Sequence, residues 1–174
     1  MSLKRSIQTF FKDPEPTDKF SEVETGINIV DGIAKIEEPL RSPVRGQNCI
    51  GYHYQSYLVI QSRRSPQPTV QKIREAEVYS PFDLEMEGGT VHVIPPKPAK
   101  FTRETHMDLK QHYGNNFHGV EDIILPGAKV RLKGKMKIIN GIPTLKMSLI
   151  SVLEKQIMTK GVVGDRKKRK KRSL

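Results

Sequence analysis

The stretch Lys129-Val130-Arg131-Leu132-Lys133-Gly134-Lys135-Met136-Lys137-Ile138 decides the fold. Val130, Leu132, Met136 and Ile138 fall on one side of a two-residue repeat, and Lys129, Arg131, Lys133, Lys135 and Lys137 on the other. Side chains alternate across a strand, whereas a helix would scatter these two sets around its surface, so the segment reads as a strand with one face in a core and one in solvent. Asn140-Gly141 then supplies the chemistry of a two-residue hairpin turn, and Leu145, Met147 and Leu149 continue an apolar face on the return strand.

Working outward, the strongest further strand is Cys49 to Ile60, rich in aromatic and β-branched residues. Residues 63 to 68, with two prolines, form a loop, and Val70 to Val78 runs back as a more polar strand ending at Ser80-Pro81. Phe82 to Met86 alternates with period two, turns at Gly88-Gly89 and resumes at Val91 to Ile94, a second hairpin. Ile27, Ile29, Ile33 and Ile36, placed among Gly26 and Gly32, open the domain with a strand or hairpin. Thr105 to Tyr113 has a Thr-x-x-Asp start and Gly114 after its end, the marks of one short helix, and Val120 to Leu125 is expected to add a helical turn. About seven short strands with little helix predict a mainly β fold, a small antiparallel barrel or sandwich with an OB-like barrel among the candidates.

Residues 12 to 25 combine two prolines with alternating charges and few apolar groups, too little buriable surface to offset chain ordering, and read as a linker. The chain thus divides into a flexible arm at 1–25, a β domain at 26–160 and a basic, disordered tail at 161–174. One cysteine, Cys49, excludes an intrachain disulfide and a C-x-x-C zinc or redox site. No window of 18 uninterrupted apolar residues and no N-terminal apolar run occur, so neither membrane insertion nor secretion is expected.

The net charge of +11 has two addresses. Arg166, Lys167, Lys168, Arg169, Lys170, Lys171 and Arg172, offset by Asp165, give the tail +6. The +5 left over equals the five cations from Lys129 to Lys137, so the rest of the chain balances. Charge gathered in one tail and one strand is the footprint of an anionic partner. Same-face charges on a strand lie about 6.6 Å apart, close to the phosphate spacing of an extended single strand, which favours single-stranded DNA as the ligand. A charged stripe that protects an edge strand from aggregation is the competing explanation. Tyr52, Tyr54, Tyr57 and Phe82 are either core residues or base-stacking groups. His53, His92, His106, His112 and His118 form no metal-binding spacing, and no nucleophile elbow, phosphate loop or acid-base pair is present, so no enzymatic activity and no cofactor are expected. Cys49 reads as a packed small residue.

Two resemblances bear on function. Leu40 with Ser42-Pro43-Val44-Arg45-Gly46-Gln47-Asn48-Cys49, then Ser80-Pro81-Phe82-Asp83-Leu84 with Gly89-Thr90-Val91-His92-Val93, then Glu121-Asp122-Ile123-Ile124-Leu125-Pro126-Gly127-Ala128 follow one another in an order that resembles the GIDE domain. That module belongs to a mitochondrial-type ubiquitin ligase and to many prokaryotic proteins. Ligase chemistry does not carry over, because the ligases add transmembrane helices and a cysteine-rich RING; the resemblance implies a soluble module that recognises a protein or membrane surface. At the other end, Lys4-Arg5-Ser6-Ile7-Gln8-Thr9-Phe10-Phe11 resembles the peptide by which replication and repair proteins bind the sliding clamp (PCNA), with Lys4 at the usual glutamine. One tight helical turn would gather Ile7, Phe10 and Phe11 into an apolar plug. The combined expectation is a DNA-associated adaptor that docks on a sliding clamp and holds phosphates with its basic strand and tail. It would be nuclear in a eukaryote, and cytoplasmic or nucleoid-associated otherwise.

Overall fold

The computed structural model describes residues 13–97 and 100–154. In chain order the strands are β1 (Gly26–Lys35), β2 (Leu40–Arg41), β3 (Asn48–Cys49), β4 (Gly51–Ile60), β5 (Thr69–Tyr79), β6 (Phe82–Met86) and β7 (Gly89–Ile94). After helix α1 (Arg103–Tyr113) come β8 (Phe117–Ile124), β9 (Lys129–Ile139) and β10 (Ile142–Val152).

Five of these close a barrel in the order β1-β6-β7-β10-β9, with β9 pairing back onto β1. Counted along the barrel alone this is the order 1-2-3-5-4, the OB-like arrangement. The barrel is mixed, not wholly antiparallel as expected: β10 runs parallel to β7 from Thr144 opposite His92 to Lys146 opposite Ile94. A parallel pair needs a long crossover, and α1, β8 and β9 lie in the chain between these strands. Val30, Leu84, Val91, Val93, Val130, Leu132 and Leu145 fill the interior with essentially no exposure. Each comes from the inward half of an alternating strand, and close packing of such aliphatic side chains excludes water from the barrel.

Two residues expected in that core lie outside it, Ile138 at 61% exposure and Leu149 at 62%. β1 pairs with β9 only as far as Met136, and β7 with β10 only from Thr144. Residues 137–143 therefore extend past the barrel rim, where inward phase no longer means burial. Leu149 is displaced by a register shift between Met147 and Leu149, and the extra residue turns the following side chain to the other face.

The chain between β1 and β6, joined by β8 from the crossover between β7 and β9, builds a second layer, the sheet β5-β4-β8. Tyr52 and Tyr54 of β4, Ala76 and Val78 of β5 and Ile123 of β8 face Phe101 and the helix, with Leu109 packed against them. The helix starts two residues before Thr105, because Thr102 caps it and accepts a hydrogen bond from the Thr105 amide. The expected helical turn at Val120–Leu125 is instead part of β8, which pairs with β4 from Leu58 opposite Phe117 to Gly51 opposite Ile124. Its β-branched Val120, Ile123 and Ile124 suit that pleated setting.

Residues 13–25, read as linker, lie against the barrel. The Thr17 amide donates to the Ile29 carbonyl at 3.0 Å, the Asp31 amide to Thr17 at 2.8 Å, and the Phe20 amide to Glu87 at 2.9 Å. The segment fills the gap where β1, paired with β6 only over Ile33–Lys35, would leave backbone groups unmatched. Phe20 lies on Gly89 so closely that a Cβ there would come within 2.5 Å of the ring, so only glycine admits this strap.

Candidate nucleic-acid interface

The outer face of β9 carries Lys129, Arg131, Lys133, Lys135 and Lys137, as the alternation requires. β9 is flanked by β10 on one side and by β1 as far as Met136 on the other, so from Lys129 to Lys135 the stripe protects no open edge, and Lys137 alone lies past the end of β1. The five cations are not equivalent. Arg131 makes a two-pronged bond to Asp31, Nε to Oδ1 at 2.8 Å and Nη2 to Oδ2 at 2.7 Å. Lys133 Nζ meets Asp13 of the strap at 2.6 Å, and Lys129 lies 3.8 Å from Glu154. Lys135 and Lys137 have no carboxylate partner among the described residues.

A third such lysine, Lys146 on β10, lies directly opposite Lys135. Like charges facing each other across two strands destabilise the pair, so this juxtaposition carries a cost that an anionic ligand would reverse. Lys135 and Lys137 are about 6.6 Å apart along their strand, and Lys146 lies about 5 Å across from Lys135 at the Cβ atoms. Nothing acidic occurs between Asp122 and Glu154 in the chain. Lys146 was missing from the sequence-derived site, yet Leu145-Lys146-Met147 alternates and points to it once β9 and β10 are set in register.

The apolar side chains at this end of the barrel are exposed as well. Ile139 pairs with Ile142, Ile138 stands opposite Pro143, and Ile27 of β1 faces Lys135. Asn140 and Gly141 both take positive φ, 51° and 79°, which closes the hairpin in two residues. By contrast, the outward positions of β6 are acidic, with Asp83 bonded to His92 of β7 at 2.9 Å and Glu85 beside them. The acidic β6 is separated from the β9–β10 lysines by β1 on one side and β7 on the other.

The aromatic residues do not join this surface. Tyr52, Tyr54 and Phe82 are buried. Tyr52 donates to the Phe101 carbonyl at 2.6 Å, and Tyr54 lies 3.0 Å from His106 Nδ1, so their hydroxyls are used inside the second layer. Base stacking by these three is excluded, and Tyr57 alone is partly exposed. Ile7, Phe10 and Phe11, and the cations from Arg166 to Arg172, lie outside the described residues.

Glu121 and Arg103 hold a loop of the second layer. Glu121 receives the Ser42 hydroxyl at 2.9 Å and the amides of Val44 and Arg45 at 2.7 and 2.9 Å, so one carboxylate holds the Ser-Pro-Val-Arg loop. Arg103 adds bonds to the Pro43 and Val44 carbonyls at 3.0 Å. Burial, reinforced by the Glu121 charge, pushes the Cys49 thiol up to about 12, far from nucleophilic thiolate chemistry at neutral pH. Among the described residues no three His, Cys, Asp or Glu side chains converge as a metal site, and no helix is long and apolar enough to cross a membrane. Comparison of the chain with protein-family models, with curated proteins and with solved structures gives no match.

Proposed function

We propose that this chain is a non-enzymatic nucleic-acid-binding module, a DNA-associated adaptor that holds phosphates on the β9–β10 face and docks on a sliding clamp through Ile7, Phe10 and Phe11. The carrying observation is the cluster of Lys135, Lys137 and Lys146, three cations without a carboxylate partner among the described residues, of which Lys135 and Lys146 face each other between paired strands and have no edge to protect. Lysines spaced in this way fit a phosphate backbone, and such contacts position a ligand without reading its sequence. The tail cations from Arg166 to Arg172 would extend the same contact, and in a eukaryotic cell would also serve nuclear import. An OB-like barrel is compatible with this reading but does not carry it, because one fold hosts many functions.

The test is binding to a labelled single strand across a salt series. Changing Lys135, Lys137 and Lys146 together to Gln keeps long polar side chains on an exposed face and removes charge alone. Log affinity against log salt should lose about 0.7 of slope per contact, roughly two units in all. An unchanged slope sinks the proposal.

A second reading, a protein-recognition module like the GIDE domain, draws support from the bond between Ser42 and Glu121, which joins two of the three segments carrying that resemblance. Capture of purified sliding clamp, lost on changing Phe10 and Phe11 to Ala, separates the adaptor from it.

A further inference from the structure

We infer that the tip of the β9–β10 hairpin is an aliphatic wedge that enters between neighbouring stacked bases, beside the phosphates held by the lysines. This rests on the nucleic-acid reading above and deepens it. Residues 137–143 have no strand beside them on either flank. The two-residue turn keeps the projection narrow, and four of its seven residues, Ile138, Ile139, Ile142 and Pro143, are apolar. Aliphatic side chains and proline are the groups that proteins insert into base steps, where they separate a stack and bend the strand. Isoleucine is stiff at χ1, so little side-chain freedom is lost on insertion.

Charge selects the occupant. Lys135, Lys137 and Lys146 flank the tip and nothing acidic lies near it in the chain, so the surface complements an anion that also offers an apolar interior. A second copy of this chain fits badly, because a two-fold contact through the tip would set these lysines against themselves. Stacked bases, bounded by phosphates, supply both features. The tip carries no aromatic ring, so it acts by separating bases and not by offering a stacking platform.

The experiment uses the full chain, a single strand containing the fluorescent base 2-aminopurine, the same strand in a duplex, and anionic phospholipid vesicles. Ile138, Ile139 and Ile142 are changed together to Thr, which keeps β-branching on exposed positions so that folding is retained. The wild-type chain should raise 2-aminopurine fluorescence. The variant should lose that rise and about tenfold in affinity while keeping the salt slope set by the lysines. The arm in which the rise occurs tells whether a single strand or a duplex is opened. If melting of the triple variant falls, Ile142→Thr alone repeats the test. An equal rise with the variant, or binding by the wild type without any rise, overturns the wedge and leaves the phosphate reading intact. Absence of salt-dependent binding to either nucleic acid overturns both. Vesicle binding that the variant loses, with no fluorescence change on either nucleic acid, assigns the tip to a membrane surface and overturns the wedge.

Discussion

Arg131 grips both carboxylate oxygens of Asp31 across the β1–β9 ladder, and that pair divides the basic strand into two parts with different work. Hydrogen bonding to Asp31 raises the guanidinium further above its already high range, so Arg131 stays charged but committed. Toward the hairpin, beyond Lys133 and its Asp13, the cations are unclaimed.

Arg131→Gln should therefore separate stability from binding. Loss of the two-pronged bond leaves Asp31, whose side chain is only 15% exposed, without its cation, and melting should fall. The salt slope for nucleic acid should barely move, whereas Lys135→Gln or Lys137→Gln should each lower it by about 0.7 with little change in melting. Equal slopes for all three variants would mean that Arg131 releases Asp31 for the ligand.

Glu121→Gln tests the inner loop. The carboxylate satisfies one hydroxyl and two amides in a buried setting, and an amide replaces one acceptor oxygen with a donor that faces donors. Hydrogen bonds to a charged group and the stranded amide together predict a loss of about 2 to 3 kcal/mol, read as a lower urea midpoint with unchanged denaturant slope. Nucleic-acid affinity should not change, since this loop belongs to the second layer. A midpoint within error of wild type would show that the loop holds without its carboxylate.

The alternation at Val130, Leu132 and Met136 was legible because period two is local information, and Asn140-Gly141 announced its turn for the same reason. What was not legible depended on neighbours distant in sequence. Ile138 keeps the inward phase but runs beyond its partners, and no count of alternating residues reveals where β1 and β7 stop. Val120 to Leu125 is ambiguous locally, and pairing with β4 made it a strand. Residues 13–25 lack the apolar content of a core element, yet unmatched amides on β1 and the bare surface of Gly89 gave them a berth. Lys146 joined the site only when β10 was laid against β9. Arg131 and Lys133 had looked free because Asp31 and Asp13 lie 100 and 120 residues away in the chain.

His106 should give the fold a dependence on acid. Burial, with the nearby Lys110 charge adding to it, holds this imidazole below its ordinary range, while Tyr54 meets its Nδ1 at 3.0 Å. The folded chain then binds fewer protons than the unfolded one between the lowered value and about 6.5. Its contribution is full above that upper limit, declines as pH falls through the window, and changes no further once both states are protonated. Urea midpoints should be lower at pH 5 than at pH 7.5, and His106→Gln, which keeps a group able to meet Tyr54, should shrink the difference. Equal differences in the two proteins would place the acid sensitivity elsewhere.

Asp13 gives the last test, because it places an acid of the strap on the face proposed to hold phosphates. Its carboxylate lies 2.6 Å from Lys133 Nζ, and its side chain is largely exposed. An exposed pair of this kind contributes little to stability, so Asp13→Asn should leave melting nearly unchanged. A phosphate reaching Lys133 in the wild-type chain must first displace Asp13, and the variant removes that competitor. Affinity for a single strand should rise, and the salt slope should steepen by about 0.7, the value of one added phosphate contact. Pairing Asp13→Asn with Lys133→Gln should cancel the gain, which distinguishes a freed lysine from a general drop in negative charge. If affinity rises equally with and without Lys133, the effect comes from net charge alone; if it does not rise at all, the ligand stays on the hairpin side of Lys133 and the footprint ends at Lys135.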